Sequence, residues 1–268
     1  MTLTFKGFSL SLGLSVAAAL AVAPGADAAG SAKHPKHVEW ETEGPFGHFD
    51  IPAVQRGWQV FREVCAACHS LDYFRFRNLA DIGYEENMIK AFAAEYEVAG
   101  EPDDFGDPTT RPGLPQDPFP SPFANENAAR AANGGALPPD LSLIVKARHD
   151  GANYVYSLLT GYESAPADVE LSAGRYYNPY FKGGQISMAP PLTDDLLEYE
   201  DGTEASSDQM ARDLVNFLIY VAEPNLQSRH QMGISTMLFL LLLAVLLYFS
   251  KKQVWKPVKQ GKNVYEDL

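Results

Sequence analysis

Cysteine is almost absent from this 268-residue chain: Cys65 and Cys68 are the only two. A structural zinc site made of four thiolates is therefore excluded, as is a disulfide-rich scaffold. Arginine is missing from the first 28 residues, which argues against an Arg-rich amphipathic organelle presequence there. Charge is missing from Met232 to Ser250, a stretch too apolar to be an ordinary surface helix. Cations are scarce relative to anions, with a formal net charge of −13, which argues against nucleic acid as a partner. No internal repeat, phosphate-binding glycine loop or Ser/His/Asp arrangement is legible.

What is there begins with the two cysteines, which stand in Cys65-Ala66-Ala67-Cys68-His69. Cys-x-x-Cys-His is the pattern of covalent c-type haem attachment: each thiol adds to a porphyrin vinyl group and the adjacent imidazole ligates iron. Positions i, i+3 and i+4 share one helical face, so Cys65, Cys68 and His69 reach one macrocycle from a single turn. A dithiol redox pair or half a zinc site is the competing reading, weakened by the lack of a second cysteine pair.

The targeting signals divide the chain. Residues 1–28 read as a secretory leader, with Lys6, an apolar stretch from Phe8 to Val22 and an Ala26-Asp27-Ala28 cleavage pattern. Residues 231–250 read as one transmembrane helix, with Tyr248 and Trp255 where interfacial aromatics belong. Lys251, Lys252, Lys256, Lys259 and Lys262 make residues 251–268 a cytoplasmic tail, so residues 29–230 are expected outside, in a bacterial periplasm. That head carries 15 Lys and Arg against 31 Asp and Glu, a net of −16. Such a surface suits electrostatic steering of a basic partner, although acidity also serves plain solubility.

Within the head, residues 30–50 look irregular, and His34, His37 and His48 read as solvated. A helix is expected from Ala53, on Val54, Trp58, Phe61 and Val64, running into the cysteine motif. A second is expected over about 85–96, with Met88, Ile89, Phe92 and Ala93 as its core face. Residues 98–140 hold nine of the 19 prolines and read as wrapped irregular chain, with Phe105, Phe119 and Phe123 to bury. Short helices are expected at Leu141–Val145 and Tyr154–Leu159, and a longer one over about 208–222, with a Ser206-x-x-Gln209 capping box.

Two further residues are candidates from chemistry alone. Met188 lies in Gly183-Gly184-Gln185-Ile186-Ser187-Met188-Ala189-Pro190-Pro191, a loop suited to presenting a thioether to iron; a second histidine or an open iron are the alternatives. Arg148 suits a haem propionate, but a lone arginine is more often a solvated surface charge.

Taken with Arg130-Ala131-Ala132-Asn133-Gly134-Gly135-Ala136-Leu137-Pro138-Pro139-Asp140-Leu141-Ser142, Lys146-Ala147-Arg148-His149, the run from Tyr154 to Tyr162, Met188-Ala189-Pro190-Pro191 and Ala222-Glu223-Pro224, the motif resembles the cytochrome c1 family over nearly all of residues 29–268. The resemblance implies a mainly α class I c-type cytochrome head with long loops and one C-terminal transmembrane helix. It implies one covalent haem c, with His69 and Met188 as axial ligands, Arg148 on a propionate, and Asn133, Pro139 and Tyr154 in segments lining the pocket. It also implies an electron-transfer subunit of ubiquinol-cytochrome c reductase, beside cytochrome b and the Rieske iron-sulfur protein, delivering electrons to a soluble cytochrome c. Some bacterial members carry an extra cysteine pair that this chain lacks. A free-standing anchored shuttle, or an enzyme or sensor with open iron, are the other classes.

Overall fold

The computed structural model describes residues 32–261; the expected leader and the last seven residues of the tail lie outside that range. As expected, the described chain is mainly helical with one long apolar C-terminal helix; two small two-stranded sheets were not anticipated.

Two helices far apart in sequence form the centre of the head. Helix α1, Ile51–Glu63, starts at Asp50, whose side chain accepts from the Ala53 N–H, and carries Pro52 in its first turn. Its buried face, Val54, Trp58, Val60 and Phe61, meets α6, Ser207–Ala222, along Met210, Leu214, Phe217 and Leu218. Trp58 packs on Phe61, Phe74, Phe119 and Phe217, with ring centroids 5.4 to 6.2 Å apart. Each such burial is worth about 1.5–3 kcal/mol, so this aromatic cluster supplies a large share of the head's stability. The helices pass so closely at Gly57 that a Cβ there would overlap the Asp213 backbone. Asp213, buried on α6, receives Arg56 of α1 in two bonds of 2.9 and 3.1 Å, while Asp201 takes the same guanidinium at 2.9 Å.

The expected capping box of α6 forms only by half. Ser206 Oγ accepts from the Gln209 N–H at 3.2 Å, but the Gln209 side chain turns forward to Asp213 at 3.1 Å. The buried carboxylate outcompetes the helix terminus, because its remaining lone pairs must be satisfied away from water.

Helix α2, Glu86–Ala94, buries Ile89 and Ala93, but Met88 is 42% exposed, contrary to its expected place in the core. The helix meets the head along Ile89 and Ala93, with Phe92 half-buried beside them against Trp58 and Tyr84, and Met88 lies outside that face. The proline-rich segment is ordered more regularly than expected. Strand β1, Glu97–Ala99, pairs antiparallel with β2, Thr110–Pro112, and α3, Glu126–Ala132, follows. Phe119 is buried and Phe123 half-buried, but Phe105 is 91% exposed at the tip between the strands. The Phe119 N–H donates to the Phe74 carbonyl, laying this segment along the chain that leaves the cysteine motif.

The next helices are displaced from expectation: α4 is Ile144–Ala147 and α5 is Gly151–Leu159. Asp140 accepts from the Ser142 N–H at 2.9 Å, an Asx turn that keeps residues 141 and 142 out of the helix. A hairpin of β3, Tyr176–Tyr177, and β4, Gln185–Ile186, precedes α6. Last comes α7, Leu226–Lys259, 34 residues and so about 51 Å long, with no part of its most apolar stretch buried. It exceeds the uncharged run at both ends because the flanking polar residues continue the helix.

Candidate functional site

The cysteine motif forms where α1 ends. The chain tightens at Val64 into a 3-10 turn over Cys65–Ala67, and the N–H groups of Cys68 and His69 both donate to the Cys65 carbonyl, at 3.1 and 2.9 Å. The expectation of an ordinary helical turn is thus corrected to a tighter one, and the three functional side chains still issue from a single turn. Both thiols are free, Cys68 exposed and Cys65 half-buried. Burial, and secondarily the Cys68 neighbour, pushes the Cys65 thiol up to about 12.

His69 is oriented from outside its own element. Its Nδ1 lies 2.7 Å from the Pro139 carbonyl oxygen. A carbonyl only accepts, so Nδ1 carries the proton and Nε2 keeps a free lone pair, the tautomer of a histidine ligand. Burial lowers the imidazole below its ordinary value, against the opposing effects of the Pro139 carbonyl and the Asp140 charge, which also favours the neutral ligand form.

Asp140 holds the two segments together. It accepts from Ser70 Oγ and the Asp72 N–H at 2.8 Å each, besides the Ser142 N–H, and the Leu141 N–H donates to the Ser70 carbonyl at 3.0 Å. The buried Ser142 hydroxyl accepts from the Tyr73 N–H at 3.1 Å. Residues 69–73 and 139–142 are in this way laced side by side. The sequence reading missed Asp140; its one signal was the Pro-Pro-Asp-Leu-Ser order, an Asx-turn pattern after rigid chain.

The remaining candidates fall into separate places. Asn133 ends α3 and its amide donates to the Ala129 carbonyl at 2.8 Å, ahead of Gly134 and Gly135, both at positive φ. Arg148, exposed just after α4, places its guanidinium beside the half-buried Tyr154 phenol of α5. Burial raises that phenol above its ordinary value and the Arg148 charge opposes the shift. Met188 is half-buried two residues beyond β4, and its carbonyl accepts from the Tyr162 hydroxyl at 3.0 Å. Burial raises the Tyr162 phenol as well, so it remains a donor. Tyr162 too was missed, since nothing local marks an aromatic residue after a helix as a strap on a loop 26 residues away. The structure therefore bonds Cys65, Cys68, His69 and Pro139 into one cluster and sets the Arg148 charge near the Tyr154 phenol, while the guanidinium donates to the Ala147 carbonyl at 3.2 Å. No direct hydrogen bond among the described residues joins either group to Asn133 or Met188.

Two thiols and one neutral imidazole, projecting from one turn with Nδ1 already engaged, fit a covalently attached haem. Comparison with known proteins agrees. Residues 40–258 match the Cytochrome C1 family. The chain is 49% identical over 244 residues to the mitochondrial cytochrome c1 heme protein of Saccharomyces cerevisiae, covering 90% of this chain and 79% of that one. It is 49% identical over 237 residues to cytochrome c1 of Rhodospirillum rubrum, covering 82% and 87%. It is 50% identical over 230 residues to the mitochondrial cytochrome b-c1 complex catalytic subunit of Candida albicans, covering 85% and 80%. With the attachment turn, the mainly helical head and the apolar C-terminal helix all in the one chain, it belongs to the cytochrome c1 family of haem-carrying electron-transfer proteins.

Proposed function

We propose that this chain accepts single electrons from a Rieske iron-sulfur protein and passes them to a soluble cytochrome c, in a complex with cytochrome b. Membership of the family makes it the haem subunit of the cytochrome bc1 complex and an electron-transfer component, not an enzyme on its own. Cys65 and Cys68 would hold the haem by thioether bonds, His69 and Met188 would ligate its iron, and Arg148 would meet a propionate next to Tyr154. Asn133 and Pro139 would belong to the pocket, Pro139 through the carbonyl that orients His69. Bound there, a haem supplies a one-electron couple whose potential Met/His ligation raises. The observation that supports this reading is the 2.7 Å bond from His69 Nδ1 to the Pro139 oxygen, which leaves the Nε2 lone pair free to ligate a metal.

The chain is anchored in a membrane by α7. We infer a bacterial inner membrane, with residues 1–28 as leader, 29–230 in the periplasm, 231–250 spanning and 251–268 in the cytoplasm. The lysines after the span support that orientation, and the net −16 of the head supports a basic electron acceptor. Affinity isolation of the tagged chain in mild detergent, with reduced-minus-oxidised visible spectra of the eluate, is the test. Co-elution of b-type haem absorbance with the c-type band is expected. A c-type band alone, under conditions that keep complexes intact, would replace this reading with a free-standing anchored shuttle.

A further inference from the structure

We propose that Tyr162 is a positioning residue that holds the Met188 thioether on iron, by donating its phenol hydrogen bond to the Met188 carbonyl. The inference rests on the reading of Met188 as axial ligand. Methionine is flexible at three torsions, and a thioether is a weak donor, so the backbone that carries it decides how often it is in place. Beyond Met188 the chain runs into Pro190 and Pro191, which have no N–H to tie the loop down. The bond from Tyr162, at 3.0 Å, is made to the backbone of Met188 itself.

The strap is anchored well. Tyr162 follows the C-terminal end of α5 directly, and the intervening Gly161 is buried so tightly that a methyl group would overlap the Ser157 carbonyl and the Tyr180 ring. The same helix end takes the base of the β3–β4 hairpin, where the buried Asn178 donates to the Leu158 carbonyl at 2.8 Å. Helix α5 is itself fixed by Asn153, whose side-chain oxygen accepts from the Val38 N–H at 3.0 Å and from Trp40 Nε1 at 2.9 Å. Both ends of the loop that carries Met188 are thus referred to one rigid helix.

Titration of the haem-loaded, oxidised full chain with imidazole reads the fraction of time the sixth position is open. Losing one hydrogen bond of ordinary net strength makes imidazole bind about three- to tenfold more tightly to Tyr162→Phe than to the wild type, with a weakened thioether-iron charge-transfer band. Tyr156→Phe is the control: it removes a phenol hydroxyl of helix α5 that donates to Asp208 on α6 and not to the Met188 segment, and should leave imidazole affinity within about twofold. Wild-type affinity in Tyr162→Phe, or equal tightening in Tyr156→Phe, overturns the proposal. Met188→Leu separates it from its premise, because if that variant keeps the band and the wild-type affinity, it is the ligand assignment that fails.

Discussion

His69 and Met188 are held in contrasting ways. Around His69, residues 69–73 are tied to residues 139–142 by five hydrogen bonds that span about seventy positions of sequence, four of them involving a side chain. Around Met188, a hairpin of two residue pairs is clamped at its base by Asn178, and one phenol reaches the residue itself. With His69 and Met188 as the proposed ligands, the His69 segment is thus the one the fold braces more heavily, and the Met188 segment depends on a helix end and a single donor. Bracing against His69 Nδ1 would then act on ligand basicity and bracing at Met188 on ligand occupancy, so damage to the two segments should move the midpoint potential in opposite directions.

The largest effect is expected from Asp140→Ala, which removes an acceptor shared by three donors. It should destabilise the head by about 2–4 kcal/mol in urea titrations, and raise the midpoint potential as the Pro139 carbonyl drifts from His69. A head as stable as the wild type would refute the bracing. Gly161→Ala attacks the other side: its methyl group overlaps the Ser157 carbonyl and Tyr180 ring, costing about 1–3 kcal/mol, and the displaced Tyr162 should lower the potential and weaken the charge-transfer band. A potential shifted upward in both variants would dissolve the contrast. The smallest effect concerns Asp72, whose carboxyl is raised above its ordinary value, first by burial and then by the Asp140 charge. The folded state therefore binds this proton more tightly than the unfolded chain, and stability falls as pH rises from the ordinary carboxylate value through the folded one. Asp72→Asn should flatten that part of the stability profile, while an unchanged slope would show that the Asp72 carboxyl is not raised in the folded head.

Much of the architecture was legible because it repeats locally. The apolar stripe Met210, Leu214, Phe217, Leu218 and Val221 was visible as a helical period and is buried as such, and the uncharged run near the end lies within α7. Cys65, Cys68 and His69 were legible because five consecutive residues contain the whole pattern. Met88 was misplaced because periodicity gives a face but not the width of the surface it meets. Phe105 was misplaced because an aromatic residue in a proline-rich stretch carries no sign of whether it points inward or caps a hairpin tip. Gln209 matched a capping box, yet a buried carboxylate one turn on offered a better acceptor.

By itself the sequence determined the attachment turn, the membrane anchor and the acidity of the head, since each is a property of neighbouring residues or of a sum over them. Only the tertiary structure decided that the Pro139 oxygen accepts the His69 Nδ1 hydrogen bond, that Asp140 laces the two segments together, and that Tyr162 reaches Met188. Those contacts join positions 26 to 70 residues apart, and they exist because α1 packs on α6 and α5 docks against α6, a geometry that no short window of sequence contains.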